Sequence, residues 1–129
     1  MREKNIWIID DDPVCQIIMK KIINRSGLFS SVNSFINGEE AIESLKEIIQ
    51  QDGALPDIIL LDIEMPVLDG WGFMNEMAFL KPLIDAEIKI YISSSSIAFE
   101  DMEKAKNNNS ILGYISKPVS QDDLKKIAS

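Results

Sequence analysis

Short apolar runs alternate along the chain with longer stretches in which apolar residues return every three or four positions. The short runs, at 5–9, 31–35, 58–61, 88–92 and 111–115, read as strands. Ile58-Ile59-Leu60-Leu61 contains no polar residue, as a strand buried on both faces of a parallel sheet requires. Residues 13–25 carry Val14, Ile17, Ile18 and Ile22 at helical spacing, so these side chains are expected to face the core. Asp12 before Pro13 supplies an N-cap followed by a proline suited to the first helical position, and Ser26-Gly27 stops the helix. After the turn at Asn37-Gly38, Ala41, Ile42, Leu45, Ile48 and Ile49 line one face of a second helix, which gives way to a loop over 51–56. Phe73, Met74, Met77 and Leu80 do the same for a third helix over 71–81, ended or bent by Pro82. A fourth helix over 99–107 is rich in charge, with Met102 and Ala105 as its few anchors, so it should be weakly held before Asn107-Asn108-Asn109 breaks it. Ser120 caps a last short helix, with Asp122 and Asp123 in its first turn. Strand and helix alternate throughout, which predicts an α/β fold with a parallel sheet covered on both faces. No repeat, low-complexity tract or linker interrupts residues 1–129, so they read as one domain.

The polar residues of interest all follow strands. Asp10 and Asp11 follow the first, Asp62 the third, Ser93 to Ser96 the fourth and Lys117 the fifth. In a parallel sheet these carboxyl ends share one rim, where open α/β sheets bind their ligands. Each group alone has an ordinary reading as a helix cap, a polar turn or a solvated charge. Together on one rim they read as a site. Three carboxylates brought close repel, and each tends to take up a proton. A divalent cation removes that penalty, and all-oxygen donors favour Mg²⁺.

Composition narrows the chemistry. The net charge of -8 argues against a nucleic-acid surface. The absence of histidine excludes histidine acid–base catalysis, Ser-His-Asp triads and the usual zinc sites. A chain of 129 residues, 46% hydrophobic, suffices for one core. No apolar run approaches the roughly 18 residues of a membrane span, and Met1-Arg2-Glu3-Lys4 begins no signal-peptide pattern, so a cytoplasmic location is expected. Cys15, the sole cysteine, has no disulfide partner and reads as a packing residue.

Along essentially its whole length the chain resembles the receiver domain of two-component response regulators. The resemblance rests on Ile9-Asp10-Asp11, on Leu61-Asp62-Ile63-Glu64-Met65-Pro66 with Asp69-Gly70, on the serine cluster, and on Tyr114-Ile115-Ser116-Lys117-Pro118. It implies a CheY-like, doubly wound (βα)5 three-layer sandwich with the flavodoxin-like strand order 2-1-3-4-5. It implies a signalling switch rather than a turnover enzyme. Asp62 would be the phosphoacceptor, charged by a sensor histidine kinase, a histidine phosphotransfer protein or a small donor such as acetyl phosphate. Asp11 would bind Mg²⁺ directly and Asp10 mainly through water, with the backbone carbonyl of Glu64 as a further ligand. Lys117 would pair with Asp62 and then with the phosphoryl oxygens. Ser94 would be the switch hydroxyl, with Ser93 the alternative, and Ser95 the small residue that leaves room for the phosphoryl group. Glu64 and Ser96 would stand where the family tunes phosphoaspartate lifetime. Tyr114 would be the aromatic switch, remodelling the face of the fourth helix, fifth strand and fifth helix for a downstream protein, without direct nucleic-acid or membrane contact. A cis bond before Pro118 is also implied.

The pattern departs from the family in two places. The stretch from Ser94 to Lys117 is about one residue longer than in many receivers, with Asn107-Asn108-Asn109 the expected place. The chain ends at Ser129, soon after the fifth helix begins, which leaves open both a stand-alone receiver and a piece of a larger regulator. A phosphatase of the haloacid-dehalogenase type would find its Asp-x-Asp spacing in Asp10-Asp11-Asp12, but lacks the Thr or Val that usually follows and an acidic motif after Lys117. A receiver-like module kept only for binding would have no need of the intact Asp10, Asp11, Asp62 and Lys117 set. A flavodoxin-like cofactor role lacks a phosphate-cradling Gly-rich loop after the first strand.

Overall fold

Strands β1 (Asn5–Ile9), β2 (Ser31–Phe35), β3 (Ile58–Leu61), β4 (Lys89–Ser94) and β5 (Ile111–Ser116) pair in parallel in the order β2-β1-β3-β4-β5. The computed structural model describes residues 4–95 and 98–129, so Ser96 and Ile97 of the serine segment lie outside the described residues. The helices are α1 (Pro13–Ser26), α2 (Gly38–Gln51), α3 (Gly70–Leu80), α4 (Phe99–Lys106) and α5 (Gln121–Ala128). Among the described residues no helix is long and apolar enough to cross a membrane. The strand order is the doubly wound one expected from the sequence.

Side chains alternate across a strand, so the central strands feed two cores. Trp7, Ile9, Ile59 and Leu61 pack with Leu45 of α2 and with Phe73 and Met77 of α3. Ile6, Ile8, Ile58 and Leu60 pack on the other side with Met19 and Ile23 of α1 and with Leu124 and Ile127 of α5.

Helix α1 is turned from the expected orientation. Val14, Ile17 and Ile18 are 64%, 55% and 45% exposed, while Gln16, Met19 and Ile23 are buried. Gln16 fixes the rotation: its amide nitrogen donates to the carbonyl of Asp10 at 2.7 Å and to that of Phe35 at 2.8 Å. The two bonds satisfy the buried amide and tie α1 to the ends of β1 and β2. The N-cap is as expected, with Asp12 accepting from Val14 N at 3.0 Å and Cys15 N at 3.3 Å. Gly27, at φ 67, ends the helix in the left-handed conformation that favours glycine.

Several boundaries differ from the sequence reading. Helix α2 runs on through Gln51 before Asp52, at φ 52, turns the chain. Pro82 sits in a single 3-10 turn, Lys81–Leu83, that prolongs α3. Strand β4 continues through Ser93 and Ser94 because β5 pairs with them, Ser93 opposite Ile115 and Ser94 opposite Ser116. The β4–β5 register also slips by one, from Ile90 opposite Ile111 to Tyr91 opposite Gly113, so Leu112 is passed over. One extra residue in a strand reverses the facing of everything after it. Ile111 accordingly joins the α3-side core and Ile115 the α1/α5-side core, although both are odd-numbered.

Candidate metal centre

The strand register brings the acidic residues together. Ile9 lies opposite Leu61, so Asp10 and Asp62 follow side by side on adjacent strands. The amide of Asp62 donates to the carbonyl of Ile9 at 2.9 Å and that of Asp10 to the carbonyl of Phe35 at 3.0 Å. By alternation from Ile8, Leu60 and Ile115, residues Asp10, Asp62 and Lys117 all continue the α1/α5 face of the sheet. The slip at Leu112 is what gives Lys117 that facing.

Above the rim opens a cleft of about 530 Å³, lined by Asp10, Asp11, Asp62, Glu64, Ser94 and Lys117 among others. One carboxylate oxygen from each of Asp10, Asp11 and Asp62 lies within 4.8 Å of the other two. Asp10 is buried and Asp11 exposed at the mouth. The ammonium of Lys117 lies 2.5 Å from Asp10 Oδ2 and 3.6 Å from Asp62 Oδ1. Its nearer partner is therefore Asp10, the more deeply buried acid, where an unpaired charge would cost most. The second oxygen of Asp10 accepts from the amide of Asp12 at 2.9 Å.

Burial pushes the Asp62 carboxyl up from 3.8 to about 6; Lys117 pulls it down, and the charges of Asp10 and Asp11 push it further up. Burial alone would lower Lys117, but the hydrogen bond and charge of Asp10, with Asp62 behind it, outweigh this and raise it. Burial, then Asp10, pushes the Cys15 thiol up to about 11, which keeps it an inert packing group. An all-oxygen donor set that carries excess negative charge fits a hard divalent cation such as Mg²⁺.

The loop after β3 is tightly built. A Cβ on Gly70 would stand 2.7 Å from the carbonyl oxygen of Asp62 and 2.9 Å from Cα of Ile63, so only glycine lets α3 begin this close to the acid. Asp69 caps α3, accepting from Gly72 N at 2.8 Å. Val67 adopts φ 70, and Leu68 N donates to the carbonyl of Pro66 at 2.8 Å across it, a tight turn that costs a branched side chain some strain.

The serines divide between the cleft and the interior. Ser94 and Ser95 line the cleft. Ser93 is 2% exposed, and its hydroxyl has no partner among the described residues. The carbonyl of Ser94 accepts from the amide of Lys117 at 3.0 Å and from the hydroxyl of Tyr114 at 3.5 Å. Tyr114 is 37% exposed, and Ser116 Oγ donates to its hydroxyl at 3.4 Å. The Lys117–Pro118 peptide is cis. One acidic cleft residue escaped the sequence reading. Asp101, in the first turn of α4, lines the same cleft and accepts from the indole nitrogen of Trp71 at 3.0 Å. Its only sequence signal is an acid early in a helix that follows the serines.

A doubly wound sheet with an acidic pair, a third acid and a lysine on one rim defines an α/β protein with a charged ligand site at its strand ends. The chain matches the response regulator receiver domain over residues 6–129 and belongs to that family. It is 29% identical over 124 residues to a protein-glutamate methylesterase/protein-glutamine glutaminase of Syntrophomonas wolfei, which covers 96% of this chain but only 32% of that relative. It thus spans about a third of that relative's length. A two-component response regulator from Cytophaga hutchinsonii superposes with a TM-score of 0.83 at 26% identity, over 98% of this chain and 95% of the other. The receiver domain of a Pseudomonas aeruginosa sensor histidine kinase, solved with a magnesium ion coordinated in its active site cleft, shares the fold with a TM-score of 0.76 at 22% identity, over 98% and 95%. The chain is therefore a receiver domain of the two-component type. Its family binds Mg²⁺ in the active site, works with histidine kinases and downstream effectors, and is typically not a turnover enzyme.

Proposed function

We propose that this chain, as a single cytoplasmic domain over residues 1–129, accepts a phosphoryl group on Asp62 and relays that event to a partner protein. The observation that carries the reading is the approach of Asp10, Asp11 and Asp62 to one another, with Lys117 3.6 Å from Asp62. Asp10, Asp11, Asp62 and the backbone carbonyl of Glu64 would hold Mg²⁺. When bound, the ion neutralises the gathered carboxylates and the phosphoryl charge.

The remaining roles belong to the chain itself. An oxygen of ionised Asp62 attacks the phosphorus of a phosphohistidine or of acetyl phosphate; a P–O bond to Asp62 forms as the bond to the donor breaks. At neutral pH a carboxyl with a pKa of about 6 is ionised and more basic than an ordinary aspartate, which suits a nucleophile. Lys117, resting on Asp10, extends to the phosphoryl oxygens. The Ser94 hydroxyl turns to the same oxygens, and Tyr114, within reach of the Ser94 carbonyl, follows it. That rearrangement alters the α4–β5–α5 face for a downstream protein. The exposed Val14, Ile17 and Ile18 lie on α1, the helix capped by the cleft residue Asp12, and offer an apolar seat for a phosphodonor protein. Direct nucleic-acid or membrane contact has no part in this reading.

The phosphatase alternative would make Asp10 the nucleophile. Against it, Asp10 is 1% exposed and engaged by Lys117 at 2.5 Å. Incubation with Mg²⁺ and acetyl phosphate, followed by mapping of the modified residue, tests the proposal. A base-labile, Mg²⁺-dependent phosphoryl group on Asp62 is expected, and none should form on Asp62→Asn. Modification of Asp10 would make the protein a small phosphatase instead. No modification, even with a histidine phosphodonor, would leave a silent binding module.

A further inference from the structure

Helix α4 is held to the body of the protein in an unusual way. None of its eight residues, Phe99–Lys106, is buried, and its N-cap, Ala98, supplies no side-chain hydrogen bond. Ala105 alone reaches the core, and only in part. Between α3 and α4 lies open space rather than packing, lined by Trp71, Met74, Asn75, Glu103, Lys104 and Asn107. One polar clasp crosses this gap. The indole of Trp71 donates to Asp101 Oδ1 at 3.0 Å, and the ammonium of Lys104 lies 5.3 Å from the centroid of the same ring. Asp101 and Lys104 stand three residues apart on one helix, so they grip the indole from adjacent turns.

Asp101 has a second address. Its side chain lines the cleft of Asp62, yet it is not one of the three acids whose oxygens gather within 4.8 Å. A cation bound by those three would leave Asp101 outside its coordination. Phosphorylation would replace a singly charged carboxylate at Asp62 by a group carrying about two negative charges. Asp12, Glu64 and Asp101 line the cleft outside that set of three, and of these only Asp101 belongs to α4. Trp71, by contrast, is fixed at the start of α3, next to Gly70 and its tight contact with the Asp62 backbone.

We propose that Trp71, Asp101 and Lys104 form a charge-sensitive clasp: a phosphoryl group on Asp62 repels Asp101, breaks its bond to the indole and releases α4. The proposal rests on Asp62 as phosphoacceptor and adds the residues that couple that event to α4. It makes Asp101 a positioning residue acting through Trp71, not a participant in phosphoryl transfer.

The test uses Mg²⁺ and beryllofluoride, a phosphoryl mimic whose bound fluorine NMR signal reports occupancy of Asp62 independently of the clasp. Trp7→Phe leaves Trp71 as the one indole. In that background, saturation should shift the emission to longer wavelength and speed hydrogen exchange of the α4 amides by about tenfold or more. Asp101→Asn keeps an acceptor for the indole but removes the charge. It should show the same bound fluorine signal with less than about half of the emission and exchange responses. Trp71→Phe should show fast α4 exchange even without the mimic. Full fluorine occupancy with unchanged emission and α4 exchange would overturn the clasp while leaving Asp62 as acceptor. An Asp101→Asn protein that responds like its parent, or a Trp71→Phe protein whose α4 exchanges as slowly as its parent's, would do the same. Absence of any bound fluorine signal would overturn the acceptor reading and the clasp together.

Discussion

Replacing Asp62 by asparagine should stabilise the metal-free protein, by an amount that depends on pH. In the fold the Asp62 carboxyl is raised from 3.8 to about 6, chiefly by burial. The folded chain thus holds this proton more tightly than the unfolded chain does. The stability this confers is complete below the unfolded value and is lost as pH rises through about 6. The gap between 3.8 and about 6 corresponds to about 3 kcal/mol lost by the wild type at neutral pH. Asparagine mimics the protonated acid and avoids the loss. The variant should be more stable by about 3 kcal/mol at pH 7.5 but by only about 0.6 kcal/mol at pH 4. With an unfolding entropy of about 2.1 cal/mol/K per residue over 129 residues, the larger figure raises Tm by about 10 °C. Urea and thermal melts in EDTA at both pH values measure this. Titrating groups away from the cleft are common to the two proteins, so the difference reports Asp62 together with the charges it touches, Lys117 first. A variant less stable than wild type at pH 7.5, or a difference that does not change with pH, would refute the reasoning. Added Mg²⁺ should narrow the gap by stabilising the wild type more.

Gly70→Ala should cost about 1–3 kcal/mol in urea melts, because its Cβ meets the Asp62 backbone rather than a side chain that could yield; it should also slow phosphorylation by shifting the acid. Ser93→Ala should leave stability unchanged or raise it by about 1 kcal/mol, since it removes a buried hydroxyl that has no partner among the described residues; a clear loss would reveal a partner. Lys117→Ala should uncouple phosphorylation from partner binding. It should also destabilise the fold by about 3 kcal/mol by stranding Asp10, a loss that a further Asp10→Asn change should largely restore in thermal melts.

The order of elements and the acidic rim were legible because they rest on local signals. Four branched residues in a row before Asp62, and an aspartate before Pro13, mean much the same in any fold. What escaped depends on contacts between distant segments. Helix α1 carries apolar residues on more than one side, and Gln16 chose among them by reaching the carbonyl of Phe35, nineteen residues on. The serines after Ile92 resemble a turn, yet pairing with Ile115 and Ser116 makes the first two of them strand. The slip at Leu112 leaves no mark in a run of five residues, though it decides which core receives Ile115 and where Lys117 points. Asp101 looked like one more charge on a solvated helix until the packing carried it to the cleft.

A helix that lends no buried side chain to the core is also one that selection is free to rewrite. Exchanges at Phe99, Met102 or Glu103 would alter the surface shown to a partner while sparing the interior, since most surface substitutions shift stability by no more than about 0.5 kcal/mol. Duplicated copies of such a chain could diverge toward separate listeners along α4, each keeping the same acidic rim. The loose attachment of one helix thus separates the inheritance of the chemistry from the inheritance of the audience.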